Sequence, residues 1–457
     1  MEQRYECLIV GAGMAGAIAA RELAQRGGRR VLVLERRAHI AGNAYDCLDE
    51  HGVLIHRYGP HIFHTNSRRV YDFLCRFTAF SGYQHEVAAN LPDGQGGRIQ
   101  YPVPFNLNSL EAAFGPQEGA RLGEKLLAAY GPEKKVTILE LRQHPDPEIS
   151  ALADYVYDHV FVRYTMKQWG QTPEEIDPNT TARVPVFLSR DCRYFQDAYQ
   201  GMPVEGYTPM FERMLDHPNI TVELNTDARD RLDLSGGEIL LDGAPFRGLV
   251  LYTGAVDELF GLVYGRLPYR TLDFVYETWQ ARNRPDEPWP DEAHPLRVGD
   301  FYQSHATVNY TVDEDFTRIT EFKRLTGQDL PGVTTIMKEY SRAYTGAAED
   351  KGSYASIGLT ARPVYGEGDR EPRPIDPEYL DTDSSGGSSW GDSFGSHVLD
   401  YDWGDRVFLS GGGDGMDWGA DGAYLAPASY RAALYLDGKW AAELELLPAE
   451  GGEWIEP

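Results

Sequence analysis

The stretch YECLIVGAGMAGAIAARELAQRGGRRVLVLERR, Tyr5 to Arg37, decides the fold. ECLIV and VLVLE are short apolar runs of strand type, and AGAIAARELAQRG between them has helical character. The turn from the first strand into the helix carries Gly11, Gly13 and Gly16 in G-x-G-x-x-G spacing. Gly11 permits the tight turn, Gly13 lets the backbone approach a pyrophosphate, and Gly16 lets helix pack closely on strand. The helix N-terminus then offers unpaired N–H groups and a positive dipole end to phosphates. Glu35, about twenty residues on, stands where an acidic side chain takes ribose hydroxyls. These residues predict a dinucleotide-binding α/β unit. They leave FAD and NAD both open, and Glu35 disfavours a 2′-phosphate although Arg36 and Arg37 adjoin it.

Working outward, the rest of the chain is that of a globular protein. Its 457 residues are 42% hydrophobic and 12% aromatic, enough for one large or two to three medium domains. No run approaches the roughly 18 apolar residues of a membrane span. MEQRYECLIVGAG enters a strand with no signal-peptide pattern. Cys7, Cys47, Cys75 and Cys192 have neither metal-ligand nor disulfide-framework spacing. A cytoplasmic protein without a metal centre is the expectation. The net charge of −27 argues against nucleic acid, whose affinity comes from phosphate neutralisation by Lys and Arg. An anionic ligand would need a local basic pocket.

Residues 107–170 read as a mainly helical block. HPNITVELNT has alternating strand character, and GLVLYTGA, ending on Thr253-Gly254, reads as a buried strand returning to the nucleotide sheet. Residues 270–345 alternate in a manner that suggests an antiparallel sheet. The resulting organisation is a nucleotide domain over 1–85 and 206–265, a helical domain over 86–205, and a sheet domain over 266–345. Residues 346–400, rich in Gly, Ser and Asp, read as loop. Residues 401–457 read as a strand, a glycine-rich turn and an amphipathic helix. That turn could bring a helix dipole to a cofactor or be a surface loop.

Two further constellations stand out. YGPHIFHTN places His61 and His64 three apart in a turn-forming stretch, either as functional imidazoles or as ordinary half-buried histidines. Arg183, Arg318 and Arg163 lie among Phe161, Tyr164, Trp169, Tyr194, Phe195 and Tyr310. A guanidinium pairs with phosphate oxygens and an aromatic face stacks a base, which suits a nucleoside diphosphate. The bland alternative puts Arg318 on an exposed strand face beside Glu321, with the aromatics as core. No nucleophile–base pair is evident, so a cofactor is expected to carry the chemistry.

GAGMAG, HIAGNAYD, YGPHIFHTN, RYTMKQWG, TARVP, DCRYFQDAYQGMPVEGYTPMF, LYTGAVDELF, GRLPYRTLDFVYET, VNYTV and FTRITEFK occur in an order that resembles the UDP-galactopyranose mutases, over roughly residues 5–340. The resemblance implies a Rossmann-like FAD-binding domain, an inserted helical domain with a mobile loop near 180–195, and a six-stranded antiparallel sheet. It implies interconversion of UDP-galactopyranose and UDP-galactofuranose through attack of reduced FAD N5 on the anomeric carbon, in cell-wall or polysaccharide biosynthesis. NADPH or NADH would be the external reductant and a homodimer the assembly. FAD would be held by Gly11, Gly13, Met14, Gly16, Glu35, Arg36, Gly42, Asn43, His61, Thr253, Gly254, Gly415 and Met416. His64, His61, Arg183 and Arg318 would be catalytic, the arginines holding the diphosphate. Tyr164 would stack on uracil, Phe161 and Trp169 would line the pocket, and Asn309 and Tyr194 would bind ribose and phosphate.

Past residue 340 the chain departs from that pattern. Two phosphate-binding tyrosines and a flavin-side arginine have no evident counterpart, Arg342, Tyr344 and Tyr424 being the candidates to replace them. Met416-Asp417 stands where the family has a Met-Asp pair. Ala41 replaces a glycine and Phe187 an arginine. A mutase for a different nucleotide sugar, or an FAD oxidoreductase on the same scaffold, is the alternative.

Overall fold

The computed structural model describes residues 4–93, 95–170, 185–234, 239–259, 261–262, 270–280, 301–312, 314–345, 357–364, 429–436 and 439–446. At its base is a parallel sheet of four strands in the order Ile220–Glu223, Val31–Leu34, Cys7–Val10, Leu249–Tyr252. Parallel neighbours need crossover connections, and the helix Met14–Gln25 supplies the first. Alternation along the strands covers both faces. Ile9, Val31 and Val33 pack with Ala17, Ala20 and Ala24 of that helix and with Met210, Phe211 and Met214 of the helix Tyr207–Leu215. Leu8, Leu32 and Leu34 turn the other way, onto Ala228 and Phe246. Gly16 has no room for a side chain, since a Cβ there would lie 1.9 Å from the Gly11 carbonyl oxygen. The fold is the Rossmann-like α/β architecture that the glycine spacing predicts.

The second sheet has six strands in the order Arg270–Gln280, Val333–Ala343, Arg318–Glu321, Thr307–Tyr310, Val87–Pro92, Arg98–Val103. It is antiparallel except where Thr307–Tyr310 runs parallel to Val87–Pro92. The hairpin Val87–Val103 therefore belongs to this sheet, which corrects the expectation of a helical segment beginning at residue 86. The missed signal is turn chemistry: Asp93 Oδ1 accepts from the backbone N–H groups of Gln95 and Gly97 at 2.7 and 2.8 Å, a local closure that acidic and glycine residues favour.

The helical block starts at Asn106, whose side chain accepts from the N–H groups of Asn108 and Ser109 in a capping box. Its core gathers Phe105, Leu110, Leu126, Ile138 and Leu152. The helix Pro147–Val156 passes through a π-helical turn, Tyr157–Phe161, into Val162–Trp169. The inserted residue of such a turn rotates everything after it, and such turns recur at functional sites.

Residues Ser429–Leu436 and Lys439–Leu446 are antiparallel strands, with Ile357–Val364 alongside. This corrects two expectations, a C-terminal helix and an unbroken loop over 346–400. The sequence between the two terminal strands is Asp437-Gly438, a dipeptide that favours a two-residue hairpin over helix continuation. Gly415, Met416 and Tyr424 lie outside the described residues, as does Arg183. Of Phe161 and Trp169 only the backbone is described. No described helix is long and apolar enough to cross a membrane.

Phe211 is fully buried between the two helices and the parallel sheet. Phe211→Ala should lower the unfolding free energy by about 3–5 kcal/mol through lost transfer and cavity terms, read from urea denaturation curves.

Candidate functional site

The carboxyl ends of the strands Cys7–Val10, Val31–Leu34 and Leu249–Tyr252 meet along one edge, where open α/β sheets bind ligands. Gly11 turns the chain there at φ +105°, and a Cβ would lie 2.3 Å from Thr253 Oγ1. Thr253 Oγ1 donates to the Val10 carbonyl at 2.8 Å, tying the third strand's end to the first. Thr253 and Gly254 are exposed and Met14 is half-buried. Glu35 is 5% exposed. Its Oε2 accepts from Ala12 N–H at 2.8 Å and its Oε1 from Arg37 N–H at 2.9 Å. Each oxygen keeps a lone pair that a hydroxyl could use.

A second glycine contact shapes this edge. Gly42, at φ +56°, has room for no Cβ, which would lie 2.8 Å from the Gly13 Cα. Ala41 before it sits at φ +72°, a region where Ala is strained relative to Gly. Its N–H still donates to Ala12 O at 2.9 Å. Of the paired arginines, Arg36 faces outward onto Glu258 at 3.0 Å. Arg37 turns inward, donating to Asn43 Oδ1 at 3.0 Å and lying 4.3 Å over the Tyr58 ring. The sequence reading named Arg36 for the cofactor, whereas it is Arg37 that turns towards this edge. The glycine cradle and the pinned carboxylate fit a dinucleotide.

The second part of the site forms on the six-stranded sheet. Register puts Glu339, Arg318 and Asn309 side by side on three adjacent strands. Arg318 Nε lies 2.8 Å from Glu339 Oε1, and Glu339 is fully buried. Arg318 is therefore neither exposed nor beside a solvated Glu321. Glu321 instead accepts from Tyr302 N–H, Gln303 N–H and Thr334 Oγ1. Burial works against the guanidinium's charge, but Glu339 outweighs it and holds Arg318 more firmly protonated than usual. Asn309 is 7% exposed, and its Oδ1 has no hydrogen-bond partner among the described residues. Tyr164 and Tyr194 are buried within electrostatic reach of Arg318. Lys167, three residues after Tyr164, donates to the carbonyls of Tyr310, Glu314 and Phe316 and so fastens the helix to the turn before Arg318.

The histidine turn closes the arrangement. His61 N–H donates to His56 Nδ1 at 3.1 Å, and His61 Nδ1 donates to the Gly59 carbonyl at 3.0 Å. Burial and then the charge of Arg318 lower the proton affinity of His61. His64 lies on the short strand Phe63–Thr65, stacked on Phe195 at 3.6 Å, with Nδ1 3.1 Å from Asp197 Oδ2. Behind Phe195 stands His85, its Nδ1 2.8 Å from the Tyr83 hydroxyl. Sequence reading missed His56, His85, Asp197 and Glu339. An acid in phase with buried Met337 on the strand Val333–Ala343 was the available signal for Glu339. Of the possible replacements for the missing tyrosines, Arg342 is paired with Asp273 at 2.7 Å and Tyr344 faces Glu258. Phe187 is buried on the short strand Pro185–Phe187, opposite Lys135.

A family model described as UDP-galactopyranose mutase matches residues 159–359, and one described as NAD(P)-binding Rossmann-like domain matches residues 9–77. The chain is 32% identical to a UDP-galactopyranose mutase of Mycoplasma pneumoniae over 336 residues, covering 73% of this chain and 78% of that one. It is 33% identical to a probable UDP-galactopyranose mutase of Klebsiella pneumoniae, covering 74% and 78%. It is also 33% identical to a dTDP-fucopyranose mutase of Escherichia coli, covering 74% and 81%.

Removing one partner of a buried ion pair leaves the other uncompensated, so Glu339→Ala should cost about 3–5 kcal/mol of stability in urea denaturation. His56 and His85 are fully buried, and burial lowers each to about 3 from 6.5. A folded value below the unfolded one makes stability complete above about pH 6.5 and lost as pH falls towards 3. Each histidine should contribute a slope of roughly 1.4 kcal/mol per pH unit in that window. Denaturation curves at pH 7 and pH 5 should show the fall, and His85→Gln should make it shallower.

Proposed function

The chain belongs to the UDP-galactopyranose mutase family, an isomerase family of the intramolecular-transferase type, and from that premise we propose that it interconverts the pyranose and furanose forms of a nucleotide-diphosphate sugar, UDP-galactose first. The observation that carries this reading is the placement of Arg318. A permanently charged guanidinium, held by Glu339, stands within electrostatic reach of His61 and of the Tyr164 and Tyr194 rings. Oxidation of a neutral metabolite would have no use for a half-buried, carboxylate-held cation of this kind, whereas a leaving diphosphate does.

FAD would be held by Gly11, Gly13, Met14, Gly16, Gly42, Thr253 and Gly254, with Glu35 on the ribose. Arg37, through its place beside Asn43, is better disposed towards the pyrophosphate than Arg36. When bound and reduced, by NADPH or NADH, FAD would supply the nucleophile that replaces the nucleoside diphosphate at the anomeric carbon. The chain's own residues would do the rest. Arg318, with Arg183, binds the diphosphate and stabilises the charge that gathers on it as the glycosidic bond opens. Asn309 Oδ1 accepts from a ribose hydroxyl, which supplies the partner it lacks among the described residues. Tyr194 binds phosphate or ribose, Tyr164 stacks the base, and Phe161 and Trp169 exclude water. His61 holds the turn, and His64 takes or returns a proton at a sugar hydroxyl.

A second substrate is favoured by a specific finding: the dTDP-fucopyranose mutase matches at the same identity as the probable UDP-galactopyranose mutase. A dTDP-linked 6-deoxy sugar is therefore the runner-up. The test is an anaerobic assay of dithionite-reduced protein with UDP-galactofuranose and, in parallel, dTDP-fucofuranose, following the pyranose product by chromatography. Conversion should occur only after reduction. Arg318→Ala should lower kcat/KM by roughly 10- to 150-fold, the equivalent of about 1.5–3 kcal/mol for a charged hydrogen bond. Stoichiometric consumption of an electron acceptor with the sugar nucleotide would overturn the mutase reading in favour of an oxidoreductase.

A further inference from the structure

We propose that Asp197 is the positioning residue for His64, fixing which ring nitrogen carries the proton and holding the imidazole ready to accept a second one. The proposal rests on the role given to His64 above. His64 Nδ1 lies 3.1 Å from Asp197 Oδ2. An ionised carboxylate only accepts, so Nδ1 must be the protonated nitrogen, and Nε2 is left with its lone pair for a ligand hydroxyl. The same logic governs other imidazoles whose far nitrogen is held by a carboxylate.

The geometry is built in by the backbone. His64 pairs across the strands with Gln200, and Gln200 Nε2 donates to the carbonyls of both Phe195 and Asp197, at 3.2 and 3.1 Å. Ala198 N–H donates to Asn66 Oδ1 at 2.9 Å. The segment carrying Asp197 is thus bolted to the strand carrying His64, and Phe195 clamps one face of the ring at 3.6 Å and 12°. Burial would push the Asp197 carboxyl up, but the hydrogen bond and charge of His64 outweigh it and hold it below its usual value. Charged and titratable neighbours come from every packed element. Arg318 comes from the six-stranded sheet, His85 from the segment just before the strand Val87–Pro92, His61 from the same turn, and Lys135 acts on Asp197 from the helical block. Arg318 opposes protonation of His61 and His85, and Asp197 is the carboxylate that meets His64.

The test uses full-length FAD-loaded protein with 15N-labelled histidine, the His64 signals being identified by their loss in His64→Gln. In the unmutated protein His64 should show the Nδ1–H form when neutral. In Asp197→Asn, isosteric but uncharged, its titration midpoint should fall by about one unit or more, and Asp197→Glu should recover most of the shift. In the sugar-nucleotide assay Asp197→Asn should lower kcat at least 10-fold with KM changed less than 3-fold, and the acid limb of the pH profile should move with the NMR midpoint. A His64 midpoint unchanged in Asp197→Asn overturns the proposal, as does a shifted midpoint with unchanged kcat. Should Asp197→Asn not fold, Asp197→Ala takes its place. A His64 midpoint and a kcat both unchanged in that variant, which removes the carboxylate, would overturn the proposal. If the expected NMR shift occurs but no sugar nucleotide turns over, the pairing stands and the functional reading of the preceding section falls.

Discussion

The ion pair between Arg318 and Glu339 is the constraint around which the site is arranged. Both groups lie inside a six-stranded sheet, on neighbouring strands in direct register. Burying two charges costs several kcal/mol per ion, and their attraction returns most of that only when geometry is good. Two apolar side chains would fill the same space at no such cost. What they would not provide is a half-buried cation whose charge is held by a buried carboxylate. Held this way, Arg318 sets the electrostatics of its surroundings: its charge opposes protonation of His61 and His85.

Around that pair the chain uses rigid backbone to bring three separate sequence regions together. The sheet carries Arg318, Glu339 and Asn309. The helical block contributes Tyr164 after a π-helical turn, with Lys167 fastening its end to the loop before Arg318. The histidine turn is held from beneath by His56 and from the side by the strand Tyr199–Gly201. Sites on strands and helices hold their groups more closely than sites on loops, and here even the turn is anchored at both ends. The dinucleotide edge of the parallel sheet is built by a different device, close approach of glycine backbones at Gly11, Gly13 and Gly42.

The differences between sequence reading and structure have physical causes. The hairpin Val87–Val103 was missed although the stretch PDGQGG between its strands carries turn residues, and the closure by the Asp93 side chain shows only in space. The C-terminal strands were read as helix because YRAALYL and KWAAELEL are rich in Ala and Leu, whose propensity is a weak prior that strand pairing overrides. Arg318 was weighed against Glu321, its near neighbour in sequence. In an antiparallel sheet the real partner lies on the next strand, and only register names it.

The dinucleotide cradle was legible from sequence alone because its determinants are local. Three glycines and an acid at set spacing specify a strand, a turn and a helix within about thirty residues, whatever the rest of the chain does. The candidacy of Arg318, His61, His64, Tyr164 and Asn309 was legible as well, through residue type and motif order. Tertiary structure decided the environment of each: that Arg318 pairs with the buried Glu339, that Arg37 and not Arg36 turns inward, and that Asp197 reaches a histidine 133 positions away. Charge state and hydrogen-bond partner depend on distance and burial in space, and neither is a property of neighbours along the chain.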